Sequence, residues 1–286
     1  MLQLKLAGTS DGRVPIVDVC IDRKGPYPFV VSTGAGSSAI TPALARSLHL
    51  RRGNSTAIRG VTCVNSAPSV KVKTWSMSGA RLAAQRVLVA KVGVPRAKGV
   101  IGSDVLMRFG AVRIDYHTKH LLLAGGEGPA PAGNVYVLGQ KSPAPPSPLA
   151  KGTLKASAPL RVFESPQGTI VAAPVKFSGH TEQLAVDSGS ADSGLLPALA
   201  RSLKLKTAGA NLGVSGLGCS GKAHTYVAGS WSLGGTVLPS DGSVVARFIA
   251  GGVNSGLQGV LGSDVLAAQG SVIVDYSGAH LWLATG

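Results

Sequence analysis

The sequence predicts an all-β protein made of two related lobes. The prediction rests on two observations: the chain repeats itself, and strand-forming segments dominate each copy. Residues 42–48 (PALARSL) recur unchanged at 197–203, and residues 102–106 (GSDVL) recur at 262–266. A colinear series of this kind indicates duplication, and the offset grows from 155 to 160 residues because loops of the second copy are longer. The 39 glycines and 17 prolines fit many short strands joined by tight turns.

Strands come first in each copy. Residues 14–21 and 29–31 are apolar or alternating and rich in β-branched side chains. Residues 42–50 have helical spacing, with Thr41 as the N-cap and Pro42 at the first helical position. Two further strands, a short helix and a closing hairpin are predicted at residues 70–77, 82–94, 104–109 and 111–124. Each lobe is therefore expected to contain six or seven strands and one or two short helices.

The chain divides into two lobes and a connection. We place the first lobe at residues 1–125 and the second at residues 160–286, because the repeated segments fall within these ranges. Residues 126–159 are rich in proline and glycine, and such a stretch favours a semi-extended linker over ladder or helix hydrogen bonds. The apolar residues 135–138 within it are expected to add a strand where the lobes meet.

Composition narrows the function classes. The net charge is +15, but the basic residues are scattered, only 5% of residues are aromatic, and no nucleic-acid-binding motif accompanies them. The sequence therefore argues against nucleic acid as a partner. Three cysteines and six histidines without metal spacing predict neither a metal nor another cofactor. No apolar run is long enough to span a membrane.

The cellular compartment stays open at this point. The first residues lack the basic segment and apolar stretch of a signal peptide. We expect either a cytoplasmic protein or, if a leader has been removed, one that is secreted or held in the cell envelope.

One motif in the second copy indicates chemistry. Residues 184–190 (LAVDSGS) run as an apolar strand into Asp187, a proline-led helix follows, and residues 260–266 (VLGSDVL) come about 70 residues later. The first copy has the same features at residues 30–35 (VVSTGA), with Ser32 where the second copy has Asp187. This series resembles the catalytic loop and supporting segments of retropepsin-like aspartic peptidases, in the tandem, fused form found in bacterial proteins.

The resemblance implies two retropepsin-like (acid-protease) β-barrel lobes related by a pseudo-twofold axis. It places Ser32 and Asp187 together at the floor of an interlobe cleft. In the family, two aspartates meet there and share one proton, so that one activates water and the other donates to the scissile carbonyl. Asp187 is therefore the candidate catalytic residue, and Ser32 occupies the position of the missing aspartate.

The resemblance also implies roles for neighbouring residues. Four residues beside these two positions are expected to hold the loops in shape: Thr33, Gly34, Ser188 and Gly189. Flaps that close over bound peptide are expected around four others: Gly60, Cys63, Gly216 and Cys219. The symmetric cysteines of the two flaps are either bridged to each other or free thiols.

By this resemblance the protein is aspartic endopeptidase-like and acts on extended peptide or unfolded protein. It is expected to be inactive or impaired as written, because serine cannot share the proton. The alternative is a non-catalytic peptide-binding module, a pseudoprotease, on the same fold. Ser32 is compatible with an engineered inactivation, a natural loss of activity or an activity of different geometry. We expect a monomer in which the two lobes form an intramolecular pseudo-dimer.

Other polar residues have structural interpretations. Asp104 and Asp264 are expected to cap the short helices that follow them. Asp115 and Asp275 precede tyrosines and are expected to serve the closing hairpins. Cys20 lies in a predicted strand and is expected to belong to the core.

Overall fold

The structure, a computed structural model, describes residues 1–8, 12–59, 64–129, 135–139, 144–165, 168–209, 212–239, 243–246 and 256–286. Within these residues, the first copy forms thirteen strands. They are β1 (Leu2–Gln3), β2 (Lys5–Gly8), β3 (Arg13–Ile21), β4 (Lys24–Val31), β5 (Ala39–Ile40), β6 (Arg52–Arg59), β7 (Val64–Val72), β8 (Trp75–Met77), β9 (Ala80–Leu82), β10 (Gln85–Val89), β11 (Gly99–Ile101), β12 (Ala111–Asp115) and β13 (His120–Leu123). Its helices are α1 (Pro42–Ser47) and α2 (Ser103–Leu106), the latter continued by a 3₁₀ turn at Met107–Phe109.

The second copy repeats this series of elements. One strand, β14 (Val135–Leu138), and a 3₁₀ turn at Ser147–Leu149 come before it. Its strands are β15 (Leu154–Pro159), β16 (Arg161–Ser165), β17 (Gly168–Phe177), β18 (His180–Val186), β19 (Gly194–Leu195), β20 (Leu212–Gly216), β21 (Cys219–Val227), β22 (Trp231–Leu233), β23 (Thr236–Val237), β24 (Ser243–Ala246), β25 (Leu257–Leu261), β26 (Ser271–Asp275) and β27 (His280–Ala284). Its helices are α3 (Pro197–Ser202) and α4 (Ser263–Ala268).

The two lobe sheets have the same strand order, which confirms the duplication predicted from the sequence. The first runs β6-β7-β10-β5-β11-β4-β3-β8-β9, with β2 paired to β3. The second runs β20-β21-β24-β19-β25-β18-β17-β16-β14, with β22 and β23 extending from β17. Adding fourteen to each strand number of the first lobe reproduces the pairings of the second. The predicted all-β fold of two homologous lobes with short helices is thus confirmed.

A third sheet joins the lobes. Its six strands run β1-β13-β12-β26-β27-β15, and its central pair, β12 and β26, is antiparallel with Arg113 opposite Ile273. The prediction of six or seven strands per lobe is wrong, because the described residues give ten and eleven strands in the two lobe sheets. Strands such as β6 were missed because their exposed, polar residues show no apolar alternation.

Part of the predicted linker pairs with the sheets. Residues 135–138 form the expected strand, since β14 runs antiparallel to β16 at the edge of the second-lobe sheet. Strand β15 pairs with β27 and completes the shared sheet. The boundaries at residues 125 and 160 stay a prediction.

Helices α1 and α3 have the same sequence but different N-caps. Each buries its Leu-Ala pair, Leu44-Ala45 in α1 and Leu199-Ala200 in α3. Thr41 caps α1 as predicted, since its Oγ1 accepts a hydrogen bond of 3.2 Å from the Leu44 amide. Helix α3 begins after Leu196, whose side chain offers no such acceptor. No helix in the described residues is long and apolar enough to cross a bilayer.

Three local predictions are wrong. Residues 82–94 are not one strand, because β9 ends at Leu82 and β10 covers Gln85–Val89. Cys20 is half-buried, since the alternation of β3 turns it away from the side that buries Val19 and Ile21. Asp104 and Asp264 do not cap α2 and α4, which begin after glycines without a side-chain cap. The role of these two aspartates is described with the site.

The cap of α1 gives a direct test of these assignments. Thr41→Ala should lower the free energy of unfolding by about 1 kcal/mol, because the Leu44 amide loses its acceptor. Urea denaturation followed by circular dichroism measures the change. Thr41→Ser keeps the hydroxyl oxygen and is the control; an equal loss in both variants would contradict the capping role.

Candidate active site

Ser32 and Asp187 occupy the same position in the two lobes, directly after β4 and β18. Each of these strands runs parallel to a strand from later in its own lobe, β11 or β25. The backbone amide of Ser32 donates to Ile101 O at 2.9 Å, and that of Asp187 donates to Leu261 O at 3.0 Å. Strands β11 and β25 therefore hold the first residue of each loop.

The two side chains are in direct contact. Ser32 Oγ donates a hydrogen bond of 2.7 Å to Asp187 Oδ1. The same carboxylate oxygen accepts from the amides of Gly34, at 3.3 Å, and Gly189, at 2.8 Å. Ser32 Oγ in turn accepts from the Ala35 amide at 2.9 Å. Ser32 is buried and Asp187 is half-buried. The structure thus brings together the two residues that the sequence related by duplication.

Thr33 and Ser188 lock the two loops together by a reciprocal exchange of hydrogen bonds. Thr33 Oγ1 donates to Val186 O at 2.8 Å and accepts from the Ser188 amide at 3.1 Å. Ser188 Oγ donates to Val31 O at 2.8 Å and accepts from the Thr33 amide at 3.2 Å. Both residues are fully buried. Four hydrogen bonds therefore cross between the lobes at one point; we call these four bonds the interlock.

Gly34 and Gly189 allow the loops to approach this closely. A Cβ at Gly34 would collide with Asp187 Cβ, and a Cβ at Gly189 would collide with Ser32 Cβ. Each glycine thus lies against the partner lobe's key residue, and any side chain there would push the loops apart.

Asp104 and Asp264 tether the residues that follow the loops instead of capping helices. Asp104 Oδ1 accepts from both the amide and the hydroxyl of Ser38, at 2.9 and 2.7 Å. Asp264 accepts from the amide and hydroxyl of Ser193 at the same two distances. Each serine hydroxyl also accepts from a glycine amide, Gly102 in one lobe and Gly262 in the other, at 2.9 Å. Sequence reasoning missed Ser38 and Ser193, although their offset of 155 residues was a usable signal.

Burial dominates the electrostatics around these tethers. It raises the pKa of Asp104 and of Asp264 above the ordinary value of 3.8, although the hydrogen bonds from Ser38 and Ser193 oppose the shift. Burial also raises the pKa of Tyr116 and Tyr276, and the nearby Asp187 carboxylate adds to both shifts. The region behind the loops is therefore poorly solvated, and both phenols stay neutral there.

The second-lobe hairpin, formed by β20 and β21, reaches across to the first lobe. Gly216 ends β20, Cys219 begins β21, and the amide of Gly218 between them donates to Lys91 O at 2.8 Å. Asn65 Nδ2 donates to Gly218 O at 3.4 Å. Gly218 lies so close to the Ile58 side chain that a Cβ there would collide with it. Gly60 and Cys63, the predicted flap residues of the first lobe, lie outside the described residues.

The hairpin tip also covers apolar surface of the first lobe. Leu217 packs against a buried cluster that includes Val30 and Val100 and that Ala35, just after Ser32-Thr33-Gly34, also contacts. An apolar wall therefore extends from the Ser32 loop to the hairpin tip.

One cavity lies away from Ser32 and Asp187. A cavity beside α4 is lined by Arg13, Tyr116, Lys155 and Asp264 among others, and neither Ser32 nor Asp187 contributes to it. In the described part of the chain, no group of three or more His, Cys, Asp and Glu side chains is arranged to hold a metal. Asp115 and Asp275 accept from the Thr118 and Gly278 amides, at 2.8 and 2.7 Å, which confirms their hairpin role.

Two homologous β lobes that meet at interlocked hydroxyl–glycine loops define an acid-protease fold, here with one carboxylate at the meeting point. A family model described as aspartyl protease matches residues 17–105 and 173–265. These regions make up well over half of the chain, and the chain belongs to this family. No curated protein matches the chain.

The interlock should make a large contribution to stability. Ser188→Ala leaves the Val31 carbonyl and the Thr33 amide without their partner in a buried region, so we expect a loss of about 2 kcal/mol or more. Thr33→Val should lower the free energy of unfolding by a similar amount. The double variant should lose less than the sum of the two single losses, because both substitutions disrupt the same interlock. Chemical denaturation provides the double-mutant cycle. Ser47→Ala, at an exposed helix end, is the control and should stay within about 0.5 kcal/mol; strict additivity would contradict the interlock.

The buried aspartates predict a definite pH dependence. Because the pKa of Asp104 is raised by folding, its contribution to stability is complete below 3.8 and is lost as pH rises through the folded-state value. Asp104→Asn removes this contribution. The difference in unfolding free energy, wild type minus variant, should therefore fall as pH rises from acid to neutral. Asp264→Asn should show the same direction. Urea titrations at several pH values measure the difference, and a difference that rises with pH would reverse the assignment.

Proposed function

We propose that the chain binds extended peptides between its two lobes and, as written, hydrolyses them very slowly or not at all. The observation that carries this proposal is the use of the Ser32 hydroxyl proton, which is donated to Asp187 Oδ1 at 2.7 Å. A serine hydroxyl has one proton, so none is left to donate to the carbonyl of a bound peptide.

Asp187 keeps part of the expected chemistry. Its Oδ1 is occupied by three donors, while no described residue donates to Oδ2. Oδ2 is therefore the oxygen that would accept a proton from an attacking water. In the family, two carboxylates act together, one as base and one as acid. A chain with only one of them is expected to lose several orders of magnitude in rate.

Peptide binding is supported by features that do not need the second carboxylate. The hairpin formed by β20 and β21 spans from one lobe to the other, and its tip faces the first lobe's apolar wall. Strand edges and apolar surface are what an extended peptide pairs with when it binds by strand addition. A folded, interlocked pair of loops with one carboxylate also fits the alternative reading, a binding module without turnover.

Ser32→Asp tests the proposal. The second carboxylate would lie beside Asp187, where two close carboxylates cannot both ionise, so the pair takes up one proton and supplies acid and base together. We expect cleavage of a denatured protein substrate to appear or rise by at least about 100-fold, with an acidic optimum and inhibition by a statine-type transition-state mimic.

Matched variants separate the contributions. Ser32→Asn introduces a side chain of nearly the same size as aspartate but without a titrating group, so this variant should stay inactive. Ser32→Asp combined with Asp187→Asn should also be inactive. If the written sequence is already fast, another group supplies the missing proton and the proposal is wrong. If Ser32→Asp folds and binds peptide without turnover, the binding-module function is the correct one.

A further inference from the structure

The net charge of +15 is distributed very unevenly between the lobes. Residues 1–125 contain 18 Lys and Arg against 5 Asp and Glu, whereas residues 160–286 contain 7 of each. Residues 23–103 contain 13 Lys and Arg and not one Asp or Glu. Duplication gave both lobes the same scaffold, so this difference belongs to the surface of the first lobe rather than to the fold.

Part of this charge is concentrated on the outer face of the sheet formed by β6, β7 and β10. Val70, Val72 and Val87 point inward and are buried, so their neighbours along the strands point to solvent. Three exposed residues on β7, on β10 and just beyond β7 form what we call the basic face: Lys71, Lys73 and Arg86.

The arrangement of the basic face is unfavourable for stability. Lys71 and Arg86 are directly opposite each other in the β7–β10 ladder, and like charges at such positions are destabilising. Arg86 extends across β7 towards β6, where its Nη1 donates to Ser69 Oγ at 3.4 Å and lies against Gly53. The ion pairs among the described residues involve other parts of the chain, such as Lys5 with Asp18. Lys71, Lys73 and Arg86 therefore have no ion-pair partner among the residues that the structure describes.

The strands of the basic face lead to the hairpin contact described above. Strand β7 begins beside Asn65, which binds Gly218, and β10 leads into Lys91, which binds the same residue. Lys71 follows Asn65 by six residues, about 20 Å of extended chain. A polypeptide held under the hairpin and running over the first lobe would reach the basic face within about six residues.

We propose that the basic face binds acidic segments flanking the peptide that occupies the interlobe site, so that the protein selects acidic polypeptides. The inference rests on the peptide-binding function proposed above. A polypeptide fits better than the other polyanions. The basic face has no aromatic side chain for stacking nucleic acid bases, and the large exposed apolar side chains, such as Leu138 and Val237, lie elsewhere, which argues against a membrane surface.

The test uses the chain as written and labelled peptides that share one apolar centre. One peptide carries four Glu starting about six residues from the centre, at either end; the matched peptide carries Gln there. Fluorescence anisotropy should show the Glu peptide binding at least about tenfold more tightly at low salt, and the difference should shrink at high salt because exposed charges are screened.

A charge-matched pair of variants locates the effect. Lys71→Glu with Arg86→Glu should abolish the preference for the Glu peptide. Lys176→Glu with Lys206→Glu makes the same change of charge at exposed positions of the second lobe and should keep most of the preference. Thermal unfolding checks that both fold. Lys71→Glu alone should raise the unfolding temperature, because it converts a like-charge pair into an opposite-charge pair.

The outcomes separate this inference from the proposed function. If the Gln peptide binds as tightly as the Glu peptide, peptide binding stands and the acidic preference is wrong. If neither peptide binds, the proposed function itself fails. Equal loss in both double variants would mean attraction by overall charge rather than by the basic face. The labelled Glu peptide can also be displaced by a single-stranded oligonucleotide or by anionic phosphatidylserine vesicles. If either does so at a lower concentration than unlabelled Glu peptide, the basic face binds that polyanion instead.

Discussion

The reciprocal exchange between Thr33 and Ser188 is the constraint on which the site depends. Each hydroxyl serves one carbonyl and one amide of the opposite lobe, so neither loop has its buried backbone groups satisfied without the other. This arrangement fixes the separation of the loops and thereby places Ser32 against Asp187. Gly34 and Gly189 follow as a necessity, since no side chain fits between loops at this distance. The contact between Ser32 and Asp187 is thus maintained by residues outside that pair.

The two lobes share this scaffold but differ in the side chains that they carry at the site. The tethers from Asp104 to Ser38 and from Asp264 to Ser193 use the same donors at the same distances, although the two donors share one carboxylate oxygen in Asp104 and take one oxygen each in Asp264. The residue at the meeting point of the loops differs between the lobes, with Ser32 in the first and Asp187 in the second. The Ser32 hydroxyl donates to Asp187 Oδ1 and adds no second negative charge beside this carboxylate.

Much of the fold followed from the sequence, because a seven-residue identity and a repeated GSDVL segment define equivalent positions without reference to conformation. The meeting of Ser32 and Asp187 followed from the same equivalence. What could not be predicted depends on distant partners. Ser38 became part of the site only through Asp104, 66 residues away, and an aspartate at the start of a helix suggests a cap until its partner is seen. Strand β6 could not be predicted either, because it is held by backbone pairing with β7 and its polar side chains show no strand pattern.

The shared six-stranded sheet limits how far the two lobes can move apart. Because β12 and β26 are paired along their full length, moving the lobes apart would break a continuous sheet as well as the interlock. The hairpin contact at Gly218 is far smaller, with one backbone hydrogen bond and one longer bond from a side-chain amide. Among the described residues, the lobes are therefore joined more extensively by the shared sheet and the interlock than by the hairpin contact at Gly218. If the proposed peptide binding is right, we expect the hairpin to move and the lobes to stay together.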